Sequence, residues 1–161
     1  MNTHYQIIDN WLKKEECEKI KKFMFSPNFP WYKREGVATE TSNDGFSFVH
    51  LFYDQSKPNS DYINLIEPIL KKLDFKAMVR VKANFYPPTP SIFEHGVHKD
   101  YEFEHKGFLF YLNSNDGFTR INNNKVESIE NRACFFDPTV LHNSSTCTTP
   151  EGRLNININY F

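Results

Sequence analysis

Cysteine is scarce in this chain of 161 residues, and the three present, Cys17, Cys134 and Cys147, show no paired spacing. That excludes a disulfide framework and a zinc ribbon, both of which need cysteines at short intervals, and it fits a reducing compartment. No apolar run approaches the roughly 20 residues that a membrane-crossing helix needs. The start, Met1-Asn2-Thr3-His4-Tyr5, lacks the basic flank and apolar stretch of a secretion signal. A cytoplasmic protein without a membrane partner is the expectation. A charge excess is missing too: 19 Lys and Arg stand against 20 Asp and Glu, for a net charge of -1. Nucleic acid is therefore an unlikely partner. The densest basic cluster, Lys13, Lys14, Lys19, Lys21 and Lys22, is interleaved with Glu15, Glu16 and Glu18 as on a wet helix face.

Aromatic residues are plentiful, at 16 % of the chain and led by sixteen Phe, which favours a strand-rich globule. The length suits one domain, residues 1–161, with a core that needs no covalent staples.

Residues 5–8 read as a short strand, closed by Asp9-Asn10, either of which can cap a helix through its side-chain oxygen. A helix of about four turns should follow, with Cys17, Ile20 and Met24 as its buried stripe and Leu12 and Phe23 beside them. Pro27 and Pro30 end it. Trp31 and Tyr32 fall in the next loop, where they either lid the core or wall a binding site. Residues 36–45 read as exposed loop and 46–53 as a strand, within which His50 is structural. Asn59-Ser60-Asp61 opens a second helix with Ile63, Ile66, Leu70 and Leu73 as its stripe. Pro68, lacking an N–H, should kink or split it.

After Phe75 the pattern switches to period two. In 78–86, Arg80, Lys82, Asn84 and Tyr86 alternate with Val79, Val81, Ala83 and Phe85. The polar side either faces water or lines a polar cavity. Further strands read at 107–113, 118–121, 125–129, 133–136, 140–144 and 153–161, with turn signals at Asn115-Asp116-Gly117 and Asn122-Asn123-Asn124. Many short strands at close intervals argue a mainly β (α+β) fold. The expected architecture is a double-stranded β-helix, or jelly roll, with N-terminal helices packed on one sheet.

Chemistry concentrates at 93–101, Phe-Glu-His-Gly-Val-His-Lys-Asp-Tyr. If this is a strand, His98 and Asp100 share a face and Lys99 points away. A third ligand from elsewhere would complete a two-His-one-carboxylate triad, which grips a metal on one side and leaves the other open. His142 is the choice, reached after the apolar 133–136 strand. A hairpin through 146–151 would lay Arg153 beside the His142 strand, as a rigid fork suited to a carboxylate. His95, odd in register, should face away from the metal, in a supporting or surface role. Glu102 and Glu104 read as solvated loop charges.

The set His98-x-Asp100, His142, then ten intervening residues and Arg153 resembles the Fe(II)- and 2-oxoglutarate-dependent oxygenases, in their prolyl-hydroxylase-like branch. The likeness extends to Ile7-Ile8-Asp9-Asn10-Trp11-Leu12, to Tyr111-Leu112-Asn113 and to Gly117-x-Thr119, nearly the whole chain. It implies that His98, Asp100 and His142 hold Fe(II), that Arg153 pairs with the distal carboxylate of 2-oxoglutarate, and that Tyr111, Tyr86 and Thr119 lie at cosubstrate positions. O2 would be the second cosubstrate. Asp100, where halogenating relatives lack a carboxylate, implies hydroxylation of an unactivated C–H bond. The substrate implied is a small molecule or a peptidyl or free amino-acid side chain such as proline, with Trp31, Tyr32 and the 87–92 loop as walls of its mouth. Asn159, where the nucleic-acid demethylases would carry a second Arg, argues against that branch. The alternative from another class is a non-oxidative, cupin-like metal or small-molecule binding protein, since Zn2+ accepts the same ligands.

Overall fold

In the computed structural model, residues 5–39 and 41–161 are described; Met1 to His4, part of the start read above, and Glu40 lie outside them. The strands are β1 Tyr5–Ile8, β2 Tyr32–Glu35, β3 Phe46–Asp54, β4 Lys57–Pro58, β5 Met78–Tyr86, β6 Lys106–Tyr111, β7 Phe118–Ile121, β8 Asn124–Glu127, β9 Arg132–Phe136, β10 His142–Ser144 and β11 Arg153–Tyr160. They pair antiparallel into two sheets. The larger has eight strands in the order β1-β9-β6-β11-β5-β3-β2, with β4 attached to β3, and the smaller runs β10-β7-β8. Strands dominate because β-branched and aromatic residues recur at every second position, and such side chains fit a pleated surface.

β5 and β11 lie side by side at the centre of the large sheet, with Lys82 opposite Asn157 and Tyr86 opposite Arg153. Their apolar sets, Val81 and Ala83 with Leu154, Ile156 and Ile158, face the main core together with Phe108, Phe110, Ile66 and Ile69. Helix α1, Lys14–Met24, adds Cys17, Ile20 and Met24 to that core. Each fully buried Leu, Ile or Phe contributes about 1.5–3 kcal/mol. The polar sets of β5 and β11 face the small sheet, and every residue of β11 is buried. A second apolar cluster, Leu109, Tyr111, Ile121, Val126, Cys134 and Phe136, fills the remaining space between the sheets.

Several expectations need correction. α1 starts after Lys13, not at Asp9 or Asn10. Asp9 is taken by Arg132 in two bonds of 2.6 and 3.0 Å, and Asn10 adopts a left-handed φ of 53°. The chain then threads Trp11 and Leu12 into the core, where Asn131 bonds the backbone of both. The expected block of N-terminal helices is not formed. Only α1 precedes the sheet strands β2 to β4; the second segment follows them and is split into a 3-10 turn, Asp61–Ile66, and the six-residue α2, Glu67–Lys72. Pro68 occupies the first turn of α2, where its missing N–H costs nothing. The split moves the buried position from Leu70 to Ile69.

The 93–101 stretch is not a strand. It runs extended beside β10, joined to it by the isolated bridges of Glu94 with Ser145 and His98 with His142 and by the His95 N–H on the Ser144 carbonyl at 2.9 Å, after a further bridge of Pro88 with Cys147. Pro87, Pro88 and Pro90 remove the N–H donors that a continuous ladder needs on approach.

All three thiols are buried and unpaired. Burial pushes Cys17 up to about 11 and Cys134 up to about 12, and raises Cys147 as well. Native protein at pH 8 should therefore release no colour with Ellman's reagent over an hour, and three equivalents once unfolded in guanidinium. A thiol that reacts within minutes in the native state would contradict this packing.

Candidate metal centre and its cavity

His98 and His142 are brought together by backbone hydrogen bonding. The His98 N–H donates to the His142 carbonyl at 2.9 Å and the His142 N–H to the His98 carbonyl at 3.0 Å. Residues exchanging both bonds across an antiparallel bridge project to the same face, and the two rings lie 4.6 Å apart. Asp100, two residues on in extended chain, returns to that face. Its Oδ1 is 4.0 Å from His98 Nε2 and 3.8 Å from His142 Nε2, and one donor atom from each of the three residues lies within 4.8 Å of the others.

The tautomers follow from the backbone. His98 Nδ1 is 3.3 Å from the Gly96 carbonyl and His142 Nδ1 is 2.9 Å from the Val140 carbonyl. A carbonyl only accepts, so each Nδ1 carries the hydrogen and each Nε2 presents a lone pair towards Asp100. His142 Nε2 is buried and without a hydrogen-bond partner among the described residues. A buried acceptor left unpaired is costly unless something binds it, and here it shares a pocket with a second imidazole and a carboxylate. This donor set suits a divalent metal.

Charge states suit it as well. Burial, then the neighbouring His142, lowers the pKa of His98 and keeps the ring neutral. Burial alone would raise the Asp100 carboxyl, but the bonds from Arg80 and Asn159 counter it, and the group is held well below the usual carboxylate range. Arg80 donates to Oδ1 at 3.1 Å, while Asn159 at 2.8 Å and Asn157 at 3.4 Å donate to Oδ2.

Arg153 is completely buried and carries no acidic partner among the described residues. Its Nε donates to Ser128 Oγ at 2.8 Å, one terminal nitrogen to the Ser145 carbonyl at 3.3 Å and the other to Thr119 Oγ1 at 2.8 Å. That uses three of five N–H donors. The guanidinium lies 5.0 Å from the centre of the Tyr86 ring and 5.8 Å from that of Tyr111. The Tyr111 hydroxyl also donates to Thr119 Oγ1, at 2.9 Å, so the Thr119 hydrogen is free to point into the cavity.

Arg153 does not neighbour the His142 strand as expected, for β10 and β11 belong to different sheets. It approaches from across the gap, and the local sequence makes the room. Gly152 takes a φ of +80°, and a Cβ there would come within 2.6 Å of the Phe85 ring. A Cβ on Gly117 would lie 2.7 Å from Arg153 Cδ. Asn113 brackets the start of β11, donating to the Gly152 carbonyl at 2.8 Å and accepting from the Leu154 N–H at 2.9 Å.

One cavity between the sheets is lined by His98, Asp100, His142, Arg153, Tyr86 and Thr119. Tyr111 stands behind Thr119 and does not line it. The polar face of β5 therefore borders a cavity, with Lys82 and Asn84 on its wall. Burial, with Arg80 and Arg34 nearby, pushes the Lys82 ammonium down to about 7.

Trp31 and Tyr32 do not line this cavity: Trp31 packs on Phe29 and Phe85, and Tyr32 is 63 % exposed. Pro87, Pro88 and Thr89 border a separate, mostly apolar groove with Phe46 and Phe93. His95 is buried, bonded to Ser144 Oγ at 2.8 Å and stacked on Tyr86 at 5.3 Å. Glu102 and Glu104 are exposed.

The sequence reading missed Arg80, the partner of Asp100, and Asp44, placed in an exposed loop but in fact buried. Asp44 accepts from the N–H groups of Val37 at 2.7 Å, Ala38 at 3.1 Å and Gly96 at 2.8 Å. It straps the 37–44 loop, whose Val37 lines the cavity, to the segment bearing His98. The spacing of Asp44 before Gly45 signalled only a turn.

Neither a protein-family model nor a curated protein matches the chain in sequence. Solved structures do match in three dimensions. An oxidoreductase of the 2OG-Fe(II) oxygenase family from Burkholderia pseudomallei is similar at a TM-score of 0.68 and 10% identity, over 99% of this chain and 86% of that one. A prolyl hydroxylase from Trichoplax adhaerens, in complex with a peptide fragment of the hypoxia inducible factor oxygen degradation domain, gives 0.63 and 14%, over 99% and 84%. The viral collagen prolyl hydroxylase of Paramecium Bursaria Chlorella virus-1, in complex with 2OG, gives 0.56 and 16%, over 98% and 95%. The resemblance to this superfamily and to its prolyl hydroxylases holds at the level of fold.

Asp44 generates a stability prediction. Burial would raise its carboxyl, but Ser42 and the N–H groups of Val37, Gly96 and Ala38 hold it below its ordinary 3.8. A depressed folded-state pKa means that its stabilisation is present above pH 3.8 and is lost as the pH falls below it. Asp44→Ala should cost about 2–4 kcal/mol at pH 7 in urea unfolding, and Asp44→Asn should flatten the acid limb of the Tm profile below pH 4. Unchanged midpoints in both variants would rule out the strap.

Proposed function

We propose that these 161 residues form an iron- and 2-oxoglutarate-dependent dioxygenase domain that hydroxylates an unactivated C–H bond. One observation carries the reading: Arg153, a fully buried guanidinium without an acid partner among the described residues, lines the same cavity as the His98, Asp100 and His142 donor set. A buried unpaired cation is destabilising, and a small diacid able to reach both features resolves it. The similarity in fold to structures determined with 2OG and with a peptide fragment supports the assignment.

On this reading His98 and His142 offer their Nε2 lone pairs, and Asp100 offers Oδ1. Arg80, Asn157 and Asn159 keep the Asp100 carboxylate ionised and fix its plane. Arg153 uses its two free N–H donors, and Thr119 its hydroxyl, to clamp the distal carboxylate of the cosubstrate, while Tyr111 and Ser128 hold Thr119 and Arg153 in place. Tyr86 flanks the cosubstrate channel. Leu109 and Val37 exclude water from the wall. When bound, iron with 2-oxoglutarate and O2 supplies the oxidising power that converts a C–H bond to an alcohol, with succinate and CO2 as coproducts. The substrate class is a small molecule or a peptidyl or free amino-acid side chain, and the three unpaired thiols suit a cytoplasmic setting.

Anaerobic addition of Fe(II) and 2-oxoglutarate should produce the weak visible charge-transfer band of the chelate. Asp100→Ala should abolish both the band and succinate release. Arg153→Gln, losing a charge-assisted clamp of about 2–4 kcal/mol, should raise the KM for 2-oxoglutarate about 30- to 700-fold. A silent spectrum with wild type would turn the assignment to a zinc-loaded or cupin-like binding protein, and undiminished turnover in Asp100→Ala would reject the ligand set.

A further inference from the structure

The cavity holds more positive charge than the proposed chemistry uses. Its lining contains three cations, Arg34, Lys82 and Arg153, against a single carboxylate, Asp100. Asp100 is already engaged by Arg80, and Arg153 is assigned to the cosubstrate. Lys82 and Arg34 remain. Neither forms a hydrogen bond or an ion pair among the described residues.

Their placement is informative. Lys82 projects from the middle of β5 on the face shared with Asn84 and Tyr86, and lies opposite Asn157, which itself contacts Asp100. Its charge acts on both His98 and Asp100, so it stands close to the donor set within the same cavity. Arg34 lies on β2, paired with Ser47 of β3, and both of those residues line the cavity. Arg34 is close enough to act on the Lys82 charge. The two cations thus repel each other, with Asp100, already engaged by Arg80, as the acid that acts on Lys82, in a site where the protein screens them less than water does. Such an arrangement gains most from a ligand bearing negative charge.

We infer that the oxidised substrate carries a carboxylate, gripped by Lys82 and Arg34 in the same cavity as His98, Asp100 and His142. The inference rests on the oxygenase reading and narrows it to free acids and to peptides presenting an acidic group. An uncharged internal residue of a peptide would leave both cations unpaired. A carboxylate suits the pair because its two oxygens can accept from both cations at once.

The test uses matched probes rather than the unidentified substrate. The purified full-length protein is titrated calorimetrically with acetate, with acetamide of the same shape, and with inorganic phosphate. Wild type should bind acetate at least tenfold tighter than acetamide and tighter than phosphate. Lys82→Gln and Arg34→Gln should each weaken acetate at least fivefold, and Arg153→Gln should leave acetate binding at the Lys82 site. Arg34 sits on the edge strand, so its variant reports even if Lys82→Gln fails to fold. Acetate binding no better than acetamide, loss confined to Arg153→Gln, or phosphate binding tighter than acetate would each overturn the proposal. The charge-transfer band recorded on the same proteins separates the two readings. A band without the acetate contrast rejects the carboxylate site alone, and the contrast without a band rejects the iron assignment alone.

Discussion

A strand enclosed on both faces must satisfy two environments with one period-two sequence, and β11 sets those terms for the whole molecule. Leu154, Ile156 and Ile158 meet the apolar core, while Arg153, Asn155, Asn157 and Asn159 meet the small sheet. Water cannot solvate that second face, so each polar group must find a partner or a ligand. Asn155 accepts from Asn84 at 3.0 Å, Asn159 reaches Asp100, and Arg153 reaches Ser128, Ser145 and Thr119. The residual valences on this face, with those of His98 and His142 opposite, are what make a cavity chemically competent.

Charge is distributed unevenly within that space. The one acid on the wall is restrained at both oxygens by Arg80, Asn157 and Asn159, so its orientation is set before any ion arrives. The cations are less satisfied. Arg153 keeps two donors in reserve and lies against two tyrosine rings, while Lys82 and Arg34 form no ion pair among the described residues. A fold that buries unbalanced positive charge spends stability on it, and anionic ligands restore the balance.

Isolated backbone bridges and side chains bonded to loop backbone, rather than a continuous ladder, keep the donor set in place. The His98 segment is irregular after its prolines and is fastened by a single doubly bonded bridge to His142 and by Asp44 through Gly96. On the other side Asn113 secures Gly152 and Leu154 around Arg153. Asp116 accepts from the N–H of Thr148 at 2.8 Å and of Thr149 at 3.3 Å, closing the loop that precedes β11.

Much of this was legible in the linear chain. The alternation in 78–86 and 153–161, the stripe Cys17, Ile20 and Met24, and the shared side of His98 and Asp100 two residues apart in extended chain depend only on local periodicity and residue chemistry, whereas His142 and Arg153 joined them through the family resemblance. Those properties survive without knowledge of neighbours, because side-chain direction along a strand or helix is fixed by backbone geometry. Tertiary structure alone decided that the polar face of β5 meets a cavity and not water, that Arg153 enters from the sheet opposite His142, and that Arg80 pairs with Asp100. It also decided that Asp44 is buried and that Lys82 and Arg34 line the cavity without an ion pair among the described residues. Each of these is a relation between segments tens of residues apart, and such relations follow from which sheets stack, a choice made by the summed burial of the core.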